Sequence, residues 1–128
     1  MNRCSVASPR KELADTIDRM ALEAGFRRQH ALNLILGFGT PILYRPDLPA
    51  LIERYRAVRQ LGSERTPMRI PPEPHLDIEK RARELGMSRE GLLDVCLQHG
   101  IGTVVTSGGL KEVDRRLREH RWKFFKAA

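Results

Sequence analysis

The chain is built from one sequence pattern that occurs twice. When the sequence is compared with itself at an offset of 61, without gaps over residues 12–39, identical residues meet at positions that carry structural information. They include Glu12/Glu73, Ile17/Ile78, Ala21/Ala82, Glu23/Glu84, Gly25/Gly86, Arg28/Arg89 and Gly39/Gly100. Because these matches fall on helix-ending glycines, on core-facing positions and on an arginine that opens a helix, they indicate a structural duplication.

Each half predicts three helices. In the first half, apolar residues recur at helical spacing over residues 9–24, and Gly25 ends the helix. The next segment, "RRQHALNLILGF", is apolar nearly all round and must be buried on several sides, and Asp47 precedes a third, amphipathic helix. The second half repeats this order, with Gly86 as the helix end, Ser88 as the next N-cap and a basic C-terminal helix after Ser107.

A Gly-x-Gly-Thr segment follows the apolar helix of each half, at residues 37–40 and 100–103. The two segments align best at an offset of 63, which predicts about two extra residues late in the second copy of this helix. Neither segment follows a strand, and neither has the Gly-Lys-Ser/Thr ending of a phosphate-binding loop. We therefore interpret these glycines as helix stops that allow a tight turn.

A short strand is predicted ahead of the second helical pair. In "ERTPMRIPPEP", apolar and polar residues alternate with a period of two until two prolines end the pattern. This alternation predicts an outward face made of Arg65, Pro67 and Arg69.

The partner strand is predicted in "NRCSVAS", because a single strand of this length is unstable alone. Its outward face is predicted to contain Arg3, Ser5 and Ala7. The opposite register, in which the other set of strand residues faces outward, is also possible, because the sequence pattern makes the first helix one residue longer.

The order of strand, helix, glycine turn and a helix that opens with Ser-Arg-Glu resembles the ribbon-helix-helix family of prokaryotic DNA-binding proteins. The resemblance covers residues 65–99 and, more weakly, residues 3–36. It implies a mainly α fold with one short two-stranded antiparallel ribbon, in which a β-α-α unit with an extra helix occurs twice. Family members normally form dimers of two identical chains. Here the resemblance implies that one chain supplies both halves, residues 1–62 and residues 63–128, which share one core as an intramolecular pseudo-dimer. This arrangement is similar to the tandem accessory proteins of conjugation and T-DNA transfer.

The resemblance implies two kinds of DNA contact. A two-stranded ribbon fits the major groove, where outward side chains reach base edges, and Arg69 is the principal candidate for such a contact. The other base-contacting candidates are Arg65, Pro67, Arg3, Ser5 and Ala7. Arg27, Arg28, Ser88 and Arg89 stand at the starts of the second helices, where the helix dipole attracts phosphate. Because Pro67 offers no hydrogen bond and the first strand has few long polar side chains, we expect asymmetric or weakly specific readout.

The charge of the chain favours an anionic partner. The formal net charge is +7 over 128 residues and the pI is about 10.1, which favours nucleic acid first and an acidic membrane surface second. No apolar run is long enough to span a membrane, and the N-terminus lacks the apolar region of a signal peptide. Two cysteines cannot form a disulfide framework, so we expect reduced thiols and a cytoplasmic, nucleoid- or plasmid-associated protein.

Catalysis and metal binding are not predicted. The four histidines are scattered and have no cysteine at ligand spacing, and no base with an orienting partner is visible. We therefore expect no cofactor, no metal and no enzymatic activity. The predicted function is sequence-preferring binding of double-stranded DNA, as an accessory factor for DNA transfer or a transcriptional regulator, with possible higher-order assembly on DNA and contacts to other DNA-processing or transfer proteins. The alternative is a basic helical module that binds another protein.

Overall fold

The computed structural model describes residues 5–58 and 64–127, and this part of the chain contains six α-helices and one two-stranded antiparallel sheet. The order is β1 (Ser5–Ala7), α1 (Lys11–Ala24), α2 (Arg28–Gly39), a 3-10 helix (Thr40–Tyr44), α3 (Leu48–Val58), β2 (Met68–Ile70), α4 (Pro72–Leu85), α5 (Arg89–Thr106) and α6 (Leu110–Ala127). A mainly helical fold with one short antiparallel ribbon is therefore confirmed.

Two glycines end α1 and α4 as predicted. Gly25 and Gly86 have φ angles of 72° and 67°, in the left-handed region that L side chains rarely adopt. Their amides donate to carbonyls of the last helical turn. The chain thus reverses at equivalent points in the two halves, and each first helix lies beside the apolar helix that follows it.

The core lies where α2 and α5 pack against each other. Five residues of α2 and eight residues of α5 are buried. The buried cluster also takes side chains from the other helices and from both strands. The largest fully buried side chains are Ile17, Leu32, Ile35, Leu36, Ile42, Leu43, Leu48, Ile70, Ile78, Leu92, Leu93 and Leu97. One hydrophobic core therefore includes residues from both halves of the sequence.

Glycines allow α2 and α5 to approach closely. A Cβ atom on Gly39 would overlap the carbonyl oxygen of Cys96, and one on Gly100 would overlap the carbonyl oxygen of Ile35. Gly39 and Gly100 are equivalent at the offset of 61, and so are Ile35 and Cys96. The two close contacts are therefore reciprocal between equivalent positions of the sequence repeat.

This packing overturns the interpretation of the Gly-x-Gly-Thr segments as helix stops. Gly100 and Gly102 lie inside α5, and Gly39 has helical backbone angles with φ −86° and ψ −38° before the 3-10 helix continues. The offset of 63 for these segments is also wrong, because Gly39 and Gly100 occupy equivalent contacts at an offset of 61. Their lack of a side chain serves helix packing rather than a turn.

No helix in the described ranges is both long and apolar enough to cross a membrane.

Candidate nucleic-acid interface

The two strands form an antiparallel ribbon at the start of the two halves. Ser5 pairs with Ile70, Val6 with Arg69 and Ala7 with Met68. The same register continues beyond the strands, where the Thr66 amide donates to the Pro9 carbonyl at 3.1 Å and the Lys11 amide donates to the Glu64 carbonyl at 2.9 Å. The ribbon is therefore fixed to the beginning of α1 at one end.

The ribbon has one buried face and one exposed face. Ala7, Met68 and Ile70 are at most 2% exposed and pack against the core. Val6 is 53% exposed, and Arg69, its cross-strand partner, is also exposed. Because directly opposite residues of an antiparallel pair share a face, Val6 and Arg69 occupy the middle of the solvent-facing side.

The second strand has the predicted orientation and the first does not. Pro67 and Arg69 are exposed, as the alternation predicts, whereas the expectation that Ala7 faces outward is wrong. The helices α1 and α4 have the same length and begin at Lys11 and Pro72, which are equivalent at the offset of 61. Ala7 therefore corresponds to the buried Met68, and the first strand has the opposite register, in which a shift of one residue reverses the face of every side chain. Arg3 lies outside the described residues, and Ser5 is described only through its backbone pairing with Ile70.

Arg65 stabilises the ribbon end through bonds within the protein. Its guanidinium donates to the Ser8 carbonyl at 2.8 Å and to Oδ2 of Asp94 at 3.0 Å. A base contact by Arg65 would require the loss of these bonds. Of the two arginines predicted on β2 and its approach, Arg69 is therefore the one available to a ligand.

Asp94 is the acidic anchor of this end of the ribbon. It lies on α5, is 5% exposed, and accepts the Arg10 amide at 3.0 Å in addition to the Arg65 guanidinium. Burial raises the pKa of Asp94 above its ordinary value, while the Arg10 amide and the Arg65 guanidinium act in the opposite direction. The carboxylate thus connects the core helix α5 to both chain segments of the ribbon.

The start of α2 lies beside the exposed face of β2. A depression next to the ribbon is lined by Val6, Arg28, Gln29, Leu32, Pro67, Met68 and Arg69. Arg28 is exposed and donates to both carboxylate oxygens of Asp18, at 2.6 and 2.9 Å. Arg27, at the N-cap position, is exposed and forms no ion pair with any residue in the described ranges.

The start of α5 lies beside β1 and has a different charge. Ser88 is the N-cap residue, and its hydroxyl oxygen accepts the Gly91 amide at 3.0 Å. Arg89 donates to Glu90 at 2.8 Å and lies 3.8 Å from Glu79. Burial acts to raise the pKa of Glu90, but bonds from Arg89 and from the backbone of Ser8 give a net lowering. Glu90 therefore places a carboxylate at the edge of β1.

The acidic partners of the predicted arginines were missed from the sequence. Asp18, Glu90 and Asp94 each bind one of Arg28, Arg89 and Arg65. Only Asp94 had a visible signal, because it interrupts the apolar run "LLDVCL", and a buried carboxylate requires a partner. Within the described residues, no group of three or more His, Cys, Asp or Glu side chains could hold a metal ion.

Comparison with protein-family models, with curated proteins and with solved structures finds no match to this chain.

Proposed function

We propose that this protein binds double-stranded DNA with some sequence preference by inserting the β1–β2 ribbon into the major groove. The observation that carries the proposal is the exposed Arg69 at the middle of the ribbon, which forms no ion pair in the described part of the chain. Its guanidinium has the donor geometry that matches the O6 and N7 acceptors of guanine. The overall charge of +7 adds attraction to phosphate.

The arrangement of the second helices supports the same function. The starts of α2 and α5 lie beside β2 and β1, so that their exposed amides and positive dipole ends flank the ribbon. Arg27 and Arg28 on one side and Ser88 and Arg89 on the other are proposed to contact phosphates. Contacts of this kind set affinity and orientation rather than sequence choice.

We further propose that the chain is a duplicated ribbon-helix-helix unit, a pseudo-dimer within one polypeptide. Support comes from the repeated order of strand and two helices, and from the reciprocal contacts of Gly39 with Cys96 and of Gly100 with Ile35. By the resemblance described above, the biological role is that of an accessory factor for DNA transfer or a transcriptional regulator of a mobile element. A genome-wide binding profile in cells separates these roles by the location of the sites, at a transfer origin or at promoters.

One observation favours the alternative of a protein-binding module. Arg28, Arg65 and Arg89 are each paired with a carboxylate, which reduces the positive charge available to phosphate around the ribbon. In that case the ribbon would serve mainly to hold the two halves together.

A salt titration decides between these functions. Binding of a fluorescent duplex is measured by anisotropy from about 50 to 300 mM salt, and for DNA binding the logarithm of affinity falls by about 0.9 for each phosphate contacted per tenfold rise in salt. Arg69→Ala is compared with Arg19→Ala, which removes the same charge from an exposed position on α1. We expect Arg69→Ala to remove the preference at one base position and Arg19→Ala to retain it. A flat salt response, or no duplex binding at about 50 mM salt, favours the protein-binding alternative.

A further inference from the structure

The two strands present different chemistry at the same position of the ribbon. Val6 and Arg69 form the middle of three paired positions and both face solvent, Val6 with 53% of its surface exposed. The Cβ atoms of directly opposite residues lie about 4.5–5.5 Å apart, and base pairs of DNA are stacked about 3.4 Å apart. Two side chains that lie directly opposite each other on the ribbon would therefore contact the same base pair or adjacent base pairs.

We propose, on the basis of the DNA-binding function above, that the ribbon recognises an asymmetric site in which Arg69 binds a guanine and Val6 contacts the C5-methyl group of a thymine on the same or an adjacent base pair. Arginine donates two hydrogen bonds to guanine O6 and N7. Valine has no donor or acceptor, and the thymine methyl group is the one apolar feature that the major groove offers to it.

The frame that carries these two residues is nearly symmetric. Gly39 and Gly100 make reciprocal contacts across α2 and α5, and the starts of these two helices flank the ribbon on its two sides. A dimer of two identical chains presents each ribbon residue twice, related by two-fold symmetry, and therefore favours a palindrome. A single chain has no such constraint, and here the two copies differ: at the offset of 61, Arg69 corresponds to Ser8 and Val6 corresponds to Pro67.

The charged residues beside the ribbon are also distributed asymmetrically. On the Arg69 side, the start of α2 carries Arg27, which has no ion pair within the described segments, and Arg28. Just after β1, the carboxylate of Glu90 at the start of α5 accepts from the backbone of Ser8 and also binds Arg89. The strand with the arginine is thus next to the more positive helix start, so that the two orientations of the protein on DNA are not equivalent.

The test begins with selection of bound duplexes from a random library and continues with modified versions of the preferred duplex. Replacing the thymine by deoxyuridine removes only the methyl group, and replacing the guanine by 7-deazaguanine removes the N7 acceptor. We expect wild-type affinity to fall roughly 4-fold with deoxyuridine, the value for loss of one buried methyl group. We expect a fall of roughly 5- to 150-fold when the guanine is replaced by another base.

Three variants assign these effects to the two residues. Val6→Ala should lose the response to deoxyuridine and keep the guanine preference, whereas Arg69→Ala should keep the methyl response and lose the guanine preference. Val6→Arg should replace the thymine preference in the selected site by a preference for a second guanine. Both positions are exposed, and circular dichroism verifies that each variant is folded.

The outcomes separate this inference from the function on which it rests. A palindromic wild-type site, or equal affinity for thymine and deoxyuridine duplexes, overturns the asymmetric readout while DNA binding stands. Failure of the folded wild-type protein to bind any duplex overturns both. A methyl response that persists in Val6→Ala assigns the contact to another residue and also overturns the inference.

Discussion

Gly39 of α2 packs directly against the backbone of Cys96 in α5. A Cβ atom at Gly39 would lie 2.9 Å from the Cys96 carbonyl carbon, and one at Gly100 would lie 3.0 Å from the carbonyl carbon of Ile35. Because the obstacle in both cases is helix backbone rather than a flexible side chain, the clash can be relieved only by moving one helix away from the other. The spacing of the two central helices thus depends on two glycines that are equivalent in the repeat.

We expect Gly39→Ala and Gly100→Ala each to lower the free energy of unfolding by about 1–3 kcal/mol or more, the usual cost of overpacking a core. Gly37→Ala and Gly102→Ala are matched controls in the same helices, since a Cβ at either position meets nothing within 4 Å. The controls should be more stable than wild type by about 0.5–1 kcal/mol, because alanine loses less backbone entropy on folding. Urea unfolding followed by circular dichroism measures all four. Equal effects of the two pairs would contradict the close helix contact.

The local features of the fold were predictable from the sequence. Gly25 and Gly86 end helices because the chain there needs a positive φ, and that requirement shows in the amphipathic pattern before each glycine. Ser88 as N-cap and the exposed side of β2 follow from similarly short-range patterns. In each case the determining interactions lie within a few residues of the chain.

The features that were missed depend on contacts between distant segments. The sequence shows where the two glycines are, but it does not show that Gly39 lies against the backbone of α5 and Gly100 against the backbone of α2. The expectation for Ala7 is wrong because the small residues of the first strand give little hydrophobic pattern to fix its register, which pairing with the distant β2 sets. The bond between Arg65 and Asp94 joins two elements that meet only after folding.

Arg65 and Arg69 should have opposite roles in stability and binding. Arg65→Ala removes donors to Ser8 and to the buried Asp94, so we expect unfolding free energy to fall by about 1–3 kcal/mol. Arg69→Ala removes an exposed side chain and should change stability by less than about 0.5 kcal/mol while weakening the preferred duplex by about 1–3 kcal/mol. Chemical denaturation and duplex titration on both variants provide the comparison. A large stability loss in Arg69→Ala would indicate that this side chain supports the fold.

The thiol of Cys96 should be unreactive in the folded protein. Cys96 is fully buried on α5, and burial raises its pKa to about 12. Since the thiolate is the reactive form, modification at pH 8 requires unfolding. In a Cys4→Ser variant, which leaves Cys96 as the single thiol, we expect labelling of the folded protein by an aromatic disulfide reagent to be slow, because it requires opening of the fold, and to be complete within seconds in about 6 M guanidinium. Fast labelling of the folded protein would contradict the burial of this side chain.

His99 should make the protein less stable as the pH falls below about 6.5. Its Nδ1 lies 2.7 Å from the Tyr55 hydroxyl, burial lowers its pKa, and the charges of Arg45 and Arg54 lower it further. Because the unfolded chain has the ordinary histidine pKa of about 6.5, it binds a proton more readily than the folded state in this range. The contribution of neutral His99 to stability is therefore present above about pH 6.5 and is lost as the pH falls. Urea midpoints measured from pH 7.5 to 5.5 should decline more steeply for wild type than for His99→Gln, and parallel pH profiles would show that this histidine is not the group responsible.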